Sequence, residues 1–365
     1  MNLRRISTKL FDFDAHYPRS IIAGVIFITA LLGWKIFTLE MDAGLRSGLP
    51  REHSIVQSME KIDELFSGSD IIIIAVESDS LFSPATLEKL YAFNDSLGSV
   101  DLISKVTSLF NQKQITPDKN GFSIQPILDN IPTDSLMLEQ FFQRLKKSGM
   151  IGNLVSPDYK TMCFVGQINS SFEYDEFEFR KNIFELVNRF NGPENFYVSS
   201  LPITRATIIE NMRRDMRVYT PIAVGLGMFL LMLSFRSWTG VFLPFFVVIL
   251  SIVWTFGVMG WLDLPLAFIG TLIPVMLVAI GNNYGIHIIS HYFEYSKSDP
   301  TGLRGQILKR TIRKVGVPIL LAGVTTVVSF LSLLSHSLPR AREMGVLVSF
   351  GILIAFVLSI ILIPS

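Results

Sequence analysis

Long apolar runs separated by polar stretches dominate the pattern along the chain. One run lies near the N-terminus, at residues 20–37 (SIIAGVIFITALLGWKIF), and five more follow at 218–235, 239–260, about 266–292, 316–335 and about 345–364. Each approaches the roughly 20 apolar residues that a helix needs to cross hydrocarbon, so six transmembrane helices are predicted. The links after the second, third and fifth runs are short, which makes those neighbours antiparallel and adjacent. The first run is a retained span rather than a cleaved leader, because no small-residue cleavage site follows it before TLEMDAG.

Residues 38–217 are of ordinary soluble composition and are long enough to bury their own core. The pattern predicts a strand at 71–77, a helix at 84–97 and a strand at 100–109. A helix at 133–147 carries the stripe Leu136, Leu138, Phe141, Phe142 and Leu145. A strand at 161–168, a helix at 174–190 with Phe177, Ile183, Phe184 and Val187 inward, and a strand at 196–199 complete the series. Strand–helix–strand, repeated, predicts an α/β sandwich of ferredoxin-like type. The fold class is therefore an α-helical membrane protein with an inserted extracytoplasmic α/β domain, divided at 1–37, 38–217 and 218–365.

Composition agrees: 17% of residues are charged, against about a quarter in soluble domains. The net charge of +1 excludes a global electrostatic footprint for nucleic acid. Charge is instead sorted by position. Arg4, Arg5, Lys9 and Arg19 precede the first run, Arg236 follows the second, and Lys297, Arg304, Lys309, Arg310, Arg313 and Lys314 crowd the segment at 293–315. The turn at 260–265 has no Lys or Arg, and Arg340 with Arg342 is the exception on that side. The positive-inside rule then puts both termini and the basic segment in the cytoplasm and residues 38–217 outside the inner (plasma) membrane, in a bacterial setting on the periplasmic side. Leu303, Ile307, Leu308 and Ile312 give the basic segment the spacing of an amphipathic helix on an anionic leaflet, or it serves simply as an anchor. The lone Cys163 excludes an intramolecular disulfide and reads as a small buried apolar residue.

The outer segment holds only His53 among histidines, and no metal-ligand cluster, phosphate loop or nucleophile elbow. Its acidic run, Glu173, Asp175, Glu176 and Glu178, reads as a helix N-terminus. Phe141, Phe142, Phe172, Phe177 and Phe179 read as core, or as the lining of a path for hydrophobic molecules. The fourth run is different, because GNNYGIHIISHY at 281–292 places polar side chains inside a span, where they are costly and point to function. Asn283 and His287 share a helix face, as do Tyr284, His287 and His291, whereas Asn282 points elsewhere. Thr325, Ser329 and Ser332 form a stripe on the fifth run that is expected to meet that face. The candidate ion-coupling residues are Asn282, Asn283, Tyr284, His287, Thr325 and Ser329. The competing reading is helix–helix glue. His287 with His291 lacks the further ligands of a metal site, so no metal or cofactor is expected.

GNNYGIHIISHYFEY resembles the Gly-x-Asp-Tyr-x-x-His pattern of the mycobacterial membrane protein large (MMPL) and hopanoid-exporter branches of the resistance-nodulation-division (RND) superfamily. FRSWTGVFLPF at 235–245 and TTVVSFLSLLSHSLPRAREMGVLVSFG at 325–351 resemble its other spans, and GLPREHS at 48–54 and SLPITRATIIENMRRDM at 200–216 the ends of its porter-like domain. The resemblance implies ion-gradient-driven export of lipids or other hydrophobic molecules. It also implies that this chain is one six-helix half, completed by homodimerisation or by a partner chain. The pattern's Asp aligns with Asn283, which does not titrate. The resemblance therefore leaves four options: His287 as proton carrier, with an ordinary pKa of about 6.5; an acid from the second half; Na+ on oxygens of Asn282, Asn283, Thr325 and Ser329; or lost coupling. The rival is a non-transporting, sterol-sensing-like or protein-export accessory module on the same fold.

Overall fold

The computed structural model describes residues 18–44, 48–50, 52–66, 70–118, 121–128, 130–169, 174–300 and 303–363. Arg4, Arg5, Lys9, Phe172 and Glu173 lie outside the described residues. The chain forms two compact units, one of Ser54–Thr207 and one of Met1–His53 with Ile208–Ser365.

In chain order, helix α1 (Pro18–Ile36) and strand β1 (Met41–Asp42) open the second of these, the membrane unit. The α/β unit contains α2 (Ser54–Phe66), β2 (Ile71–Glu77), α3 (Pro84–Gly98), β3 (Ile103–Thr107), β4 (Lys113–Asp118), β5 (Gly121–Pro126), α4 (Ser135–Lys147), β6 (Thr161–Ile168), α5 (Glu176–Arg189) and β7 (Asn195–Ser200). Helix α6 (Leu201–Phe235) carries residues of both units. The membrane unit resumes with α7 (Trp238–Trp261), β8 (Leu266–Ala267), a 3-10 turn (Phe268–Leu272), α8 (Ile273–Ser298), α9 (Arg304–Leu331), a second 3-10 turn (Ser332–Ser335) and α10 (Pro339–Leu362).

In the α/β unit four strands pair in the order β3-β6-β2-β7, every neighbour antiparallel. Strands β2 and β3 therefore run parallel with β6 between them, and β6 and β7 run parallel with β2 between them. Two strand–helix–strand crossovers thus interleave. Alternation along β2 decides which face is covered: Ile72, Ile74 and Val76 are buried, while Ile71 and Ile73 are 44% and 37% exposed. Leu87, Leu90, Phe93 and Leu97 of α3 and Phe179, Ile183 and Leu186 of α5 join the buried side. Phe93 meets Phe164 of β6 edge-on at 5.2 Å, a favoured aromatic geometry. Ser83 caps α3 by accepting from the Thr86 amide ahead of Pro84, and Asp175 caps α5 by accepting from the Phe177 amide at 2.8 Å.

The covered face of α4 is the expected one except at Leu136, with Leu138 and Phe142 packed against the core, and on α5 Ile183 and Val187 face the core as expected while Phe177 and Phe184 do not. Phe141 and Leu145 are buried but Leu136 is 66% exposed. On α5, Phe179 takes the inward position expected of Phe177, and Phe184 is exposed. Of the phenylalanines in question, Phe141, Phe142 and Phe179 pack in or against the core, and Phe177 lies beneath the Arg180 guanidinium at 5.9 Å. Helix α2 and the β4–β5 hairpin go beyond the expected elements; KQITPD has a single aliphatic residue, and the Phe122/Ile124 alternation of GFSIQP is too short to mark a strand by itself.

The membrane unit holds six helices long and apolar enough to cross a bilayer among the described residues. Helices α7, α8 and α10 supply its buried centre, with Val247, Val248, Leu277, Ile352 and Ala355. Helices α1, α6 and α9 turn apolar side chains outward, among them Phe27, Phe229 and Leu321, as lipid-facing surfaces require. Helix α1 reaches α7 at two glycines. A Cβ at Gly257 would lie 2.7 Å from the Leu32 carbonyl oxygen, and one at Gly260 would meet that of Lys35, the close backbone approach that small residues permit between spans. Strand β1 pairs parallel with β8, Met41 opposite Leu266.

Two charge expectations change. Arg340, the exception to the basic-side rule, is neutralised by an ion pair to Asp42 and by Glu343 at 2.7 Å. Arg342 donates to the His336 carbonyl at 2.6 Å. The basic segment is not a separate surface helix: α9 runs unbroken from Arg304, with Ile307, Thr311, Ile312 and Val315 buried in the bundle. Of its apolar stripe, Ile307 and Ile312 are buried in the bundle, Leu308 is half-buried and Leu303 is exposed.

Candidate functional site in the membrane unit

Helix α8 builds the site from residues three and four apart. Ile280, Asn283, Tyr284, His287 and His291 fall along one stripe and line a cavity of about 420 Å³. The opposite wall is α9, whose Lys314, Pro318, Ala322 and Thr326 recur every four residues along the same cavity. Asn283 and His287 are exposed at the surface of the unit, and Tyr284 is buried. The Tyr284 ring packs edge-on to Phe356 at 5.7 Å, and Gly323 leaves room for its hydroxyl. That hydroxyl is buried and makes no hydrogen bond among the described residues, although Thr326 lines the same cavity.

The cavity lining offers donors: the Lys314 ammonium, the Tyr284 hydroxyl, the Asn283 amide and two imidazoles. No carboxylate is among the lining residues. Glu294 is nearby on α8, and its Oε2 hydrogen-bonds His291 Nδ1 at 2.7 Å. The Lys314 ammonium and the Arg310 guanidinium also sit over Tyr295, at 5.8 and 4.7 Å from its ring centre.

Asn283, Tyr284 and His287 are brought together. Asn282 points away from the cavity, is buried, donates to the Val278 carbonyl at 2.9 Å and leaves its own Oδ1 unpartnered. Thr325 and Ser329 do not reach α8. Their exposed hydroxyls donate back to Ala322 and Thr325 carbonyls of their own helix, at 2.9 and 2.8 Å. The oxygen set Asn282, Asn283, Thr325 and Ser329 is therefore not assembled around one cavity.

Sequence reasoning missed Lys314 and Thr326. The signal was present, since the four-residue ladder from Lys314 to Thr326 defines one face of a helix. It is lost when the span is started at 316, beyond Lys314.

The sequence profile of the MMPL family matches residues 47–365. The chain belongs to the MMPL family. Membership makes it a multi-pass membrane protein of the RND transporter type, in agreement with the six spans. The chain is also 23% identical over 386 residues to a protein of Methanocaldococcus jannaschii named simply as a membrane protein, in an alignment covering 100% of this chain and 93% of that one.

Proposed function

We propose that this MMPL-family protein is an ion-coupled secondary transporter that moves lipids or other hydrophobic molecules out of the plasma membrane or the space beyond it. The observation that carries the reading is the cavity between α8 and α9, where Asn283, Tyr284 and His287 converge inside a span. Polar groups at that depth are costly and are kept for ion or substrate pathways. His287 is the proton carrier, because it lines the cavity and Asn283 cannot titrate. A sodium ion there would face the Lys314 ammonium with no carboxylate to offset it.

The Lys and Arg bias supports a cytoplasmic location for the basic ends of α8 and α9 and an extracytoplasmic one for the α/β unit. The sheet order β3-β6-β2-β7 with interleaved crossovers supports a ferredoxin-like, porter-type reading of that unit. Asn283, His287, Thr325 and Ser329 are exposed, which is unfavourable against lipid. A second copy, or a partner half, covers that face and completes the path. A monodisperse, active monomer in nanodiscs would refute this.

The test is reconstitution into proteoliposomes, following a fluorescent lipid analogue under a pH gradient and under a Na+ gradient separately. Transport is expected to follow the pH gradient and to be lost in His287→Gln. The absence of a carboxylate from the cavity lining favours a second reading, a non-transporting accessory module. That reading prevails if neither gradient moves the analogue and His287→Gln behaves as the parent.

A further inference from the structure

Helix α8 has a second face that the transport reading leaves unused. Ile288, Ile289, Tyr292 and Phe293 point roughly half a turn away from the Asn283–His287 stripe. With Leu243 of α7 and Leu308 of α9 they line a separate cavity of about 330 Å³ at the basic end of the bundle. That is room for about ten water-sized volumes of ~30 Å³ each, too much space for apolar walls to leave to a single side chain. Ile288 and Ile289 are buried, so the floor is apolar. Arg304, in the first turn of α9, is also in the lining. It is exposed and has no carboxylate within ion-pair distance among the described residues. This contrasts with Arg340 in the same unit, which is held by two carboxylates.

An apolar slot with an unpaired guanidinium at its mouth, at the end of a membrane bundle, matches an anionic lipid in both parts. The acyl chain fills the slot and the phosphate meets a planar donor fork suited to it. Arg304, Lys309, Arg310, Arg313 and Lys314 lie within one short stretch of helix. Each Lys or Arg near an anionic surface adds to the attraction. The proposal needs only that α7, α8 and α9 cross a bilayer.

We propose that the cavity bounded by α7, α8 and the first turns of α9 is a binding site for an anionic phospholipid, one acyl chain lying against Ile289, Phe293 and Leu308 and the phosphate on Arg304. Gly305 provides a direct handle on it. A Cβ there meets nothing within 4 Å and its φ is not in the left-handed region. Gly305 lines the cavity, so a larger side chain is accommodated at its edge without displacing backbone.

The experiment is native mass spectrometry of the full chain, titrated with phosphatidylglycerol, phosphatidylcholine or soluble glycerol phosphate. The parent is expected to retain phosphatidylglycerol in preference to phosphatidylcholine, with no displacement by glycerol phosphate. Arg304→Gln should lower phosphatidylglycerol affinity about tenfold, as loss of a charged hydrogen bond does. Arg304→Lys should restore part of it, and Gly305→Leu should lower retention of the lipid while the protein stays monodisperse. Retention by Arg304→Gln equal to the parent overturns the proposal. So does unchanged binding in Gly305→Leu, which would mean surface charge alone, and so does displacement by glycerol phosphate, which would mean a phosphate site without a chain.

Discussion

Two buried asparagines, one in each unit, meet different fates. Asn94 in the α/β unit accepts from Ser108 Oγ at 2.6 Å and from Asn111 Nδ2 at 3.2 Å, so its oxygen is doubly used. Asn282 in the membrane unit donates to its own helix, and its oxygen has no partner. The contrast extends further. In the α/β unit Lys89 pairs with the buried Glu194 at 2.6 Å, and Arg205 bridges Glu176 at 2.6 Å and Asp70 at 3.2 Å. In the membrane unit the hydroxyls of Thr325, Ser329 and Ser332 fold back on their own helix, and Thr220, Tyr284 and Ser359 hold buried oxygens with no partner among the described residues. A domain folding in water satisfies most of its buried polar groups within itself, and among the described residues of the α/β unit the Tyr174 hydroxyl is the one buried side-chain oxygen left without a partner. A membrane unit that works with ions, or against a second copy, has a reason to keep some of them open.

The largest effect is expected where the α/β unit is most self-contained. Phe141 is 1% exposed and packs against Phe82 and Phe142, each at 5.5 Å. Phe141→Ala should destabilise the unit by about 3–5 kcal/mol, read by urea-dependent proteolysis of the full chain at sites within 54–207. A loss below about 1 kcal/mol would mean that this core is not what holds the unit together.

A smaller, pH-dependent loss is expected at Glu194. Burial by itself would raise its carboxyl, but the Lys89 hydrogen bond overrides burial and holds the carboxyl below its ordinary 4.5. The ion pair's contribution is therefore complete above the ordinary value and is lost as pH falls through the lower, folded one. Glu194→Gln should cost about 1–3 kcal/mol at neutral pH, and the gap to the parent should narrow in acid. A gap independent of pH would assign the cost to packing. In the same unit, burial chiefly, with Asp70 nearby, pushes the Tyr174 hydroxyl up to about 12.

The smallest effect sharpens the other side of the comparison. Thr220 on α6 holds a buried, unpartnered hydroxyl. Thr220→Val, close to isosteric, should be neutral or stabilising by up to about 1 kcal/mol in thermal unfolding of the detergent-solubilised protein. A clear destabilisation would show that this oxygen has a partner, such as a water or a second copy.

What could be read in advance was what depends on neighbours in sequence. Apolar length located all six spans, and strand β2 and strand β6 matched their expected bounds because continuous or alternating apolar residues need no distant partner to be recognised. The helical repeat likewise put Asn283, Tyr284 and His287 on one face of α8 and turned Asn282 away. Packing between elements was the part that the chain's local pattern left open. Phe177 and Phe179 are equally apolar, and only the sheet beneath α5 selects Phe179. Thr325 and Thr326 are adjacent and chemically identical, and only the crossing of α9 over α8 puts Thr326 at the cavity. Arg340 looked like a misplaced charge until the tertiary fold brought Asp42 to it. Periodicity and hydropathy are properties of a segment, so sequence determined the spans and the face of α8. Burial and charge pairing are properties of two segments in contact, so only the tertiary structure decided which side chains complete the site.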